Sequence, residues 1–470
     1  MGGNPYRGYA SGRDCINGGA GGAALEDEGL MPDVTDTRQT DSPTQTEPRT
    51  YDSLISDCVH CGFCLPACPT YVSWGEEMDS PRGRIDLMKG VSEGAIPLDD
   101  VVAGHIDACL GCMACVTACP SGVRYDLLIE ATRERVEASV TRPPEDRAFR
   151  EFVFATFPYP QRLRAMIPAL LLAGKLGFTR ALSGPLGKLL PHRLRQLATM
   201  APPVSLRDAF ASLPAFTRAR GTKRARVALV AGCVQRVFFP GVNAATIRVL
   251  SAEGCDVVIP SGQGCCGALS LHSGRTEEAK RFARALIARF EREPVDAILI
   301  NAAGCGSTLK EYGDLLYDEP KWRTRAQTFA AKVRDINEYL ATLEPRAPRR
   351  PLELRVAYHD ACHLAHAQRV RAQPRALLCT IPGLELLEIP SGDQCCGSAG
   401  TYNLFEPKSA HEIGARKVAN VRSVAPDLVA SANPGCTLQM QSIARESGVV
   451  LRFAHPIELL DAAISGTSLP

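Results

Sequence analysis

The chain has 470 residues, of which 22% are charged, and a formal net charge of only +2. This length allows two or three domains with buried cores, and the near-neutral charge gives no global field that favours nucleic acid as a partner. Nineteen cysteines could indicate a secreted disulfide framework, but such chains are short and follow a signal peptide, whereas residues 1–24 are glycine-rich without an apolar segment. We therefore expect the cysteines to bind metal in a reducing cytoplasm.

The N-terminal segment, residues 1–50, is rich in glycine, aspartate, threonine and proline. It shows no hydrophobic periodicity. Such a segment cannot bury enough apolar surface to offset the entropy of ordering, which predicts a disordered tail.

Two cysteine runs of identical spacing follow the tail. They are Cys58-x2-Cys61-x2-Cys64-x3-Cys68-Pro69 and Cys109-x2-Cys112-x2-Cys115-x3-Cys119-Pro120. This spacing is typical of two-cluster ferredoxins, in which three thiolates of one run wrap one [4Fe–4S] cluster and the fourth binds the other cluster. Structural zinc needs only four cysteines in two C-x2-C pairs and would leave half of these unexplained. The runs therefore predict an electron-transfer domain with two [4Fe–4S] clusters, whose ligand sets are Cys58, Cys61, Cys64, Cys119 and Cys68, Cys109, Cys112, Cys115.

The domain that carries these runs, residues 51–140, is predicted to be α-helical. Ser80 followed by Pro81 is a helix N-cap with proline at the first helical position. Further helices are expected from about residue 98 to 108 and from 125 to 140. Two interpretations of Arg82 and Arg84 stay open: they face the clusters or a partner, or they are solvated surface arginines.

The next segment, residues 141–225, is basic and proline-rich. Residues 140–226 hold 16 lysines and arginines but only 4 aspartates and glutamates. The longest apolar run, 165–178, contains Pro168 and Lys175 and is too short to span a bilayer. The segment is either a helical linker that packs on the domains or a basic amphipathic surface that lies on anionic lipid.

From residue 226 onward, short apolar segments alternate with helical ones, which predicts parallel, Rossmann-like α/β layering. Strands are expected at 227–230, 257–259, 297–300, 356–359, 386–389 and 428–430, and helices at 277–290 and 406–419.

This α/β half is a duplication of two units, residues 226–345 and 346–470. The string Ile-Pro-Ser-Gly-x-x-Cys-Cys-Gly occurs at 259–267 and again at 389–397. A duplication that served packing alone would have no need to keep four thiols per unit in one register. We therefore predict that these cysteines bind metal, with zinc and plain buried thiols as the alternatives. The matched sets are Cys233, Cys265, Cys266, Cys305 and Cys362, Cys395, Cys396, Cys436.

Three histidines, His359, His363 and His366, bracket Cys362. Histidine can replace a thiolate on iron and raise its reduction potential. The alternative, which we favour, is that they form hydrogen bonds at the cluster or at the end of the strand.

The Cys-Cys-Gly repeats resemble those of the catalytic subunit of heterodisulfide reductase. That family ends each unit in Cys-x2-Cys, whereas Thr308 and Gln439 stand at the last positions here, so the resemblance does not extend to a five-thiolate, disulfide-cleaving cluster. The whole arrangement, two ferredoxin motifs followed by two such units, resembles the iron–sulfur subunit of glycolate oxidase (glycolate dehydrogenase) over residues 51–462. The strings that carry this resemblance are Cys58-Val-His-Cys-Gly-Phe-Cys64, Asp79-Ser-Pro-Arg-Gly-Arg-Ile85, Cys119-Pro-Ser-Gly-Val-Arg-Tyr125 and Cys395-Cys-Gly-Ser-Ala-Gly-Thr-Tyr402.

This resemblance implies a non-flavin subunit that does not oxidise substrate alone. It would accept electrons from a flavin-binding subunit that oxidises glycolate to glyoxylate and pass them toward quinone, in the cytoplasm and at the inner face of the membrane. The flavin belongs on another chain because the sequence has no G-x-G-x-x-G after a strand. The alternatives are the iron–sulfur subunit of a lactate or glycerol-3-phosphate dehydrogenase, or a heterodisulfide reductase-like thiol–disulfide enzyme.

Overall fold

The computed structural model describes residues 49–175 and 205–469. The predicted tail therefore lies outside the described residues except for its last two. Residues 176–204 of the basic segment also lie outside them.

The cysteine runs lie in a helical domain whose core is its own. Its helices are α1 (Tyr51–Ile55), α2 (Pro69–Trp74), α3 (Pro81–Ser92), α4 (Asp100–Asp107), α5 (Ala114–Ala118) and α6 (Tyr125–Ser139). The predicted cap is present, because Gly83 N donates to Ser80 Oγ at 3.0 Å and Pro81 is the first residue of α3. Fully buried side chains of α4 and α6, among them Ile106 and Leu128, form the centre of the core.

The described parts of the basic segment pack on the domains. Helices α7 (Pro144–Thr156) and α8 (Pro160–Lys175) follow the cysteine domain, and a short helix, Leu206–Ala209, comes after the gap. Val153 of α7 packs with Leu404, and Ile167 of α8 packs with Val237. Among the described residues, no helix combines the length and apolar character that crossing a membrane requires.

The C-terminal half contains two mainly parallel sheets. The first has the order β1-β3-β2-β4-β5 and the second β7-β6-β8-β9, and only β1 runs antiparallel to its neighbour. The strands are β1 (Phe216–Thr217), β2 (Ala225–Val230), β3 (Cys255–Val258), β4 (Ala297–Ile300), β5 (Val333–Asp335), β6 (Leu354–His359), β7 (Leu384–Glu388), β8 (Leu428–Ser431) and β9 (Phe453–Ala454). The predicted strands correspond to β2, β3, β4, β6, β7 and β8. Strand β1 lies within the segment that we assigned to the linker.

Helices connect successive parallel strands, as parallel pairing requires. In the first unit they are Val234–Phe238, Pro240–Ala252, Ala268–Leu271, Thr276–Phe290, Ala303–Lys310, Tyr312–Leu315, Arg323–Lys332 and Ile336–Ala341. In the second unit they are the π-helix His363–Ala367 and the α-helices Ala372–Leu378, Tyr402–Phe405, Pro407–Ser423 and Pro434–Glu446, and a last helix, Pro456–Ser465, follows β9.

The two units share one hydrophobic core. Leu229 of β2 and Tyr358 of β6 belong to the same buried cluster. The helix Pro456–Ser465 packs against the helix Pro240–Ala252, where Arg248 pairs with Asp461 at 2.6 Å. The two sheets therefore form one body.

Candidate metal centres

The two cysteine loops of the helical domain have the same backbone conformation. Residues at matching positions, His60 and Gly62 in the first loop and Gly111 and Met113 in the second, all adopt positive φ. Left-handed backbone is unfavourable for histidine and methionine, and it persists where the surrounding structure requires it. The repeated spacing thus folds into a repeated loop.

The thiols of the two predicted ligand sets differ in burial. In the first set, Cys61 is exposed and Cys58, Cys64 and Cys119 are partly buried, whereas all of Cys68, Cys109, Cys112 and Cys115 are buried. These last four line one cavity. Burial raises the pKa of Cys58, and the charge of Cys119 raises it further, so these two thiols of different runs lie close together.

Arg84 lies inside the cysteine domain and not on its surface. Its side chain is 1% exposed, and its guanidinium donates to His105 O at 2.6 Å and to Thr70 Oγ1 at 3.3 Å. Burial alone would raise the pKa of Cys109, but the charges of Arg84 and Arg133 outweigh burial and lower it. Arg84 therefore favours thiolates in the buried set, whereas its neighbour Arg82 pairs with Glu77 near the surface.

In the first α/β unit, the four thiols meet at the carboxyl ends of the strands. Cys233 follows β2, the Cys265–Cys266 pair follows β3, and Cys305 lies in the first turn of the helix after β4. Cys233 Sγ lies 3.6 Å from Cys265 Sγ. Cys266 is hydrogen-bonded to both Cys265 and Cys305, and these bonds lower its pKa well below the usual value. The four thiols thus form one contiguous group.

The second unit repeats this arrangement. Cys362 is hydrogen-bonded to Cys395, Cys395 to Cys396, and Cys396 to Cys436. It also includes a histidine: a ring nitrogen of His359 and the Sγ atoms of Cys396 and Cys436 all lie within 4.8 Å of one another. In the first unit, the charge of His272 acts on the pKa of Cys266. The structure therefore brings together each set of four cysteines that the repeat predicted.

His363 and His366 have hydrogen-bond partners in the protein. His363 Nε2 donates to Gly111 O at 2.9 Å, and His366 Nδ1 lies 2.7 Å from Thr117 Oγ1. Burial lowers the pKa of His363 to about 3, so the ring is neutral at physiological pH. These two histidines follow the hydrogen-bonding interpretation, and they join the second unit to the cysteine loop.

The buried ferredoxin-type thiols adjoin the second α/β unit. Cys112 lies in the same buried cluster as Cys362 and Cys395. Burial raises the pKa of Cys112, and the charge of Cys362 raises it further. Arg133 of α6 also reaches the first unit, where it donates to His272 O at 2.9 Å. The cysteine domain therefore lies against both units.

Sequence reasoning missed several polar residues around these thiols. Arg133 and Lys417 carried no motif that would have singled them out. Lys417 is buried beside the Cys-Cys-Gly loop of the second unit and donates to Gly392 O at 2.5 Å and to Gln394 O at 3.2 Å. Burial lowers its pKa, and the nearby thiols of Cys395 and Cys396 oppose that shift.

A helical domain with two ferredoxin-type cysteine runs, joined to a duplicated four-thiol α/β unit, defines an iron–sulfur protein. The 4Fe-4S dicluster domain family matches residues 54–123, the Cysteine-rich domain family matches 227–310 and 356–441, and the glycolate oxidase iron-sulfur subunit linker region matches 145–201. The dicluster match implies two [4Fe–4S] clusters, and the thiols of residues 58–119 fit them. Two relatives that are 39% and 34% identical to this chain, over 98% and 95% of their own lengths, show that it belongs to the family of glycolate oxidase iron–sulfur subunits.

Two similar proteins extend over nearly the whole chain. The probable glycolate oxidase iron-sulfur subunit of Bacillus subtilis (strain 168) is 39% identical over 91% of this chain and 98% of its own length. The glycolate oxidase iron-sulfur subunit of Escherichia coli (strain K12) is 34% identical over 88% of this chain and 95% of its own length. Lactate utilization protein A of Shouchella clausii (strain KSM-K16) is 29% identical over 50% of this chain and 98% of its own length.

Proposed function

We propose that this protein is the electron-transfer subunit of a glycolate-oxidising complex. It receives electrons from a flavin-binding subunit that converts glycolate to glyoxylate and passes them toward quinone. The observation that carries this proposal is the continuity of thiol groups, from the partly exposed set through the buried set to the second α/β unit. The full-length similarity to two glycolate oxidase iron–sulfur subunits supports the choice of substrate.

We also propose cross-ligation in the cysteine domain. One set is Cys58, Cys61 and Cys64 with Cys119, and the other is Cys109, Cys112 and Cys115 with Cys68. Two observations support it: the charge of Cys119 raises the pKa of Cys58, so the two thiols are close, and Cys68 lines one cavity with the other three buried thiols. When bound, the clusters accept and release single electrons.

The partly exposed thiol set is the side at which the flavin subunit docks. Cys61 is exposed, and the adjacent Val59 and Phe63 are exposed apolar side chains. The buried set instead lies beside Cys362 and Cys395. This order of the thiol sets, from exposed to buried, favours electron flow from the surface to the second unit and from there to the acceptor.

The eight cysteines of the α/β units are proposed to hold at least one further iron–sulfur centre. A disulfide-cleaving function is less well supported, because no thiol stands at the positions of the missing cysteines. Thr308 is fully buried there, and Gln439 uses its amide to bond Asn403 and Ala410 O. A four-thiolate centre suits electron transfer.

Contact with anionic lipid through the basic segment is the weaker part of the proposal. Within the described residues, Arg142 pairs with Asp107 at 2.7 Å and Arg164 donates to Ala209 O at 2.8 Å. These arginines serve packing and are not free for lipid. Binding of the intact protein to anionic vesicles that weakens as salt rises would support a membrane surface, and no binding at low salt would assign the segment to packing alone.

The test of the function uses the protein purified anaerobically with its flavin subunit. Stopped-flow reduction of the flavin by glycolate is compared with steady-state turnover on a quinone analogue, in the wild type and in Cys396→Ser. We expect flavin reduction to persist and turnover to fall, since Cys396 lies beyond the flavin in the proposed order. Unchanged turnover in the folded variant would contradict the route through the second unit. Lactate and glycerol 3-phosphate serve as control substrates.

A further inference from the structure

His359 is a buried histidine without a hydrogen-bond partner among the described residues. It ends β6, its exposure is 0%, and neither Nδ1 nor Nε2 has a partner. Leaving a buried polar group without a partner destabilises the folded state. A ring nitrogen nevertheless lies within 4.8 Å of the Sγ atoms of Cys396 and Cys436, which is the arrangement of a nitrogen and two sulfur ligands around one metal ion.

The other buried histidines differ from His359 in this respect. His363 contacts Gly111 O, His366 contacts Thr117, and His455 Nδ1 accepts from Ile457 N at 3.0 Å. An ordinary core histidine in this fold is thus hydrogen-bonded. His359 is the exception, and the two thiols of Cys396 and Cys436 lie beside its ring.

The first unit has no histidine at the position that matches His359. Strand pairing aligns the units residue by residue: His359 pairs with Ser431 in the second sheet, and Val230 pairs with Ile300 at the same place in the first. The duplication therefore kept the thiols but placed an imidazole at this position in the second unit alone. In the first unit a different histidine, His272 at the end of the helix Ala268–Leu271, lies near enough to Cys266 to lower its pKa.

A second difference has the same direction. A Cβ on Gly267 would contact Ala279, and one on Gly397 would contact Ala410, so Ala279 and Ala410 occupy equivalent positions in the two units. Seven residues further along each helix, Leu286 of the first unit is equivalent to Lys417 of the second. Leu286 is apolar, whereas Lys417 is a buried amine beside Cys395 and Cys396. A neutral ligand and a nearby cation both favour the reduced form of a metal centre.

We propose that His359 is an iron ligand in the second unit, together with Cys396 and Cys436, and that the first unit has no nitrogen ligand at the matching position, which Val230 occupies. The two repeats then differ in reduction potential, with the second unit higher. This inference rests on the proposed iron–sulfur centre of the α/β half. It also gives that centre a position as the electron acceptor for the buried ferredoxin-type set, since Cys112 lies beside Cys362 and Cys395.

The test uses the full chain, purified anaerobically and labelled with ¹⁵N-histidine. Pulsed electron paramagnetic resonance on the reduced protein should reveal a ¹⁵N coupling from a directly bound histidine. His359→Val, which copies the residue of the first unit, should abolish this coupling, and His363→Asn, the matched control next to Cys362, should keep it. His359→Cys should retain the iron and lower the midpoint potential by at least tenfold in equilibrium constant, about 59 mV for one electron.

The outcomes separate the inference from the function on which it rests. Iron in the α/β half without histidine coupling in the wild type, or coupling that survives His359→Val, would overturn the inference and leave the centre in place. A potential that is unchanged in the iron-containing His359→Cys protein would also overturn it. Absence of iron from the α/β half would overturn the proposed centre and the inference together.

Discussion

Loss of the Arg84 guanidinium should destabilise the cysteine domain far more than loss of its neighbour on the same helix. Arg84 is fully buried and donates to His105 O, to Thr70 Oγ1 and, at 3.3 Å, to Asp79 Oδ1. Removing one partner of a buried ion pair costs about 3–5 kcal/mol. We expect the lower value, about 3 kcal/mol, for Arg84→Met because His105 Nδ1 remains 3.0 Å from Asp79 Oδ1 and still satisfies that carboxylate.

The matched control is Arg82→Met. Arg82 bonds Glu77 at 2.6 Å, but the two side chains are 30% and 37% exposed, and such surface pairs contribute about 0–1 kcal/mol. Anaerobic urea unfolding of the full chain, followed by the visible absorbance of the clusters, measures both variants. Arg84→Met should also lose iron faster to a chelator, since the cation that lowers the pKa of Cys109 is gone. Equal midpoints for the two variants would refute the reasoning.

Three further predictions concern other parts of the molecule. Cys119→Ser should damage the cluster of Cys58, Cys61 and Cys64 and spare the other, whereas Cys112→Ser should do the reverse; loss of the same cluster in both, by electron paramagnetic resonance, would mean that each run binds its own. Burial lowers the pKa of His455 to about 3, so the free energy of unfolding should fall as pH drops from 6.5 toward 3, by about 1.4 kcal/mol per pH unit. His455→Asn keeps an N-cap residue and should remove that part of the pH dependence in unfolding titrations. Gly274→Ala should loosen the contact between the cysteine domain and the first unit, because its Cβ would clash with the backbone of Arg133. Gly448→Ala is the control for the cost of positive φ alone, since a Cβ there has nothing within 4 Å. Equal sensitivity of the two variants to proteolysis would contradict the clash.

The main strands were predictable because they are buried on both faces. The buried stretch 227–230 of β2, the whole of β4 and residues 428–430 of β8 are apolar, because burial on both faces removes the need for polar positions. Strands β5 and β9 have only three and two residues, and β5 carries the exposed Arg334, so no apolar run marked them. Their positions depend on pairing with β4 and β8 and not on local sequence.

Sequence spacing could identify the thiols but not their polar neighbours. Arg82 and Arg84 belong to one helix and one string, and only the packing of α3 decides which is buried. The sequence placed His359, His363 and His366 together around Cys362 and did not tell them apart, whereas it is His359, at the end of β6, that lies with Cys396 and Cys436. Contacts between residues distant in sequence made this difference. The family match of residues 145–201 was likewise hidden by a basic, motif-poor composition.

The shared core of the two α/β units constrains how the protein is made. Arg248 and Asp461 are 213 positions apart, and the helix Pro456–Ser465 closes the core that β2 begins. During synthesis, the face of the first sheet that belongs to this core therefore stays uncovered until the second unit has been made, and long-range contacts of this kind form slowly. The cysteine domain, whose core lies within residues 54–136, is complete on the ribosome much earlier. Metal delivery should follow the order of the chain, with the ferredoxin-type clusters inserted first, the thiols of the first unit next because they pack within residues 228–333, and those of the second unit last.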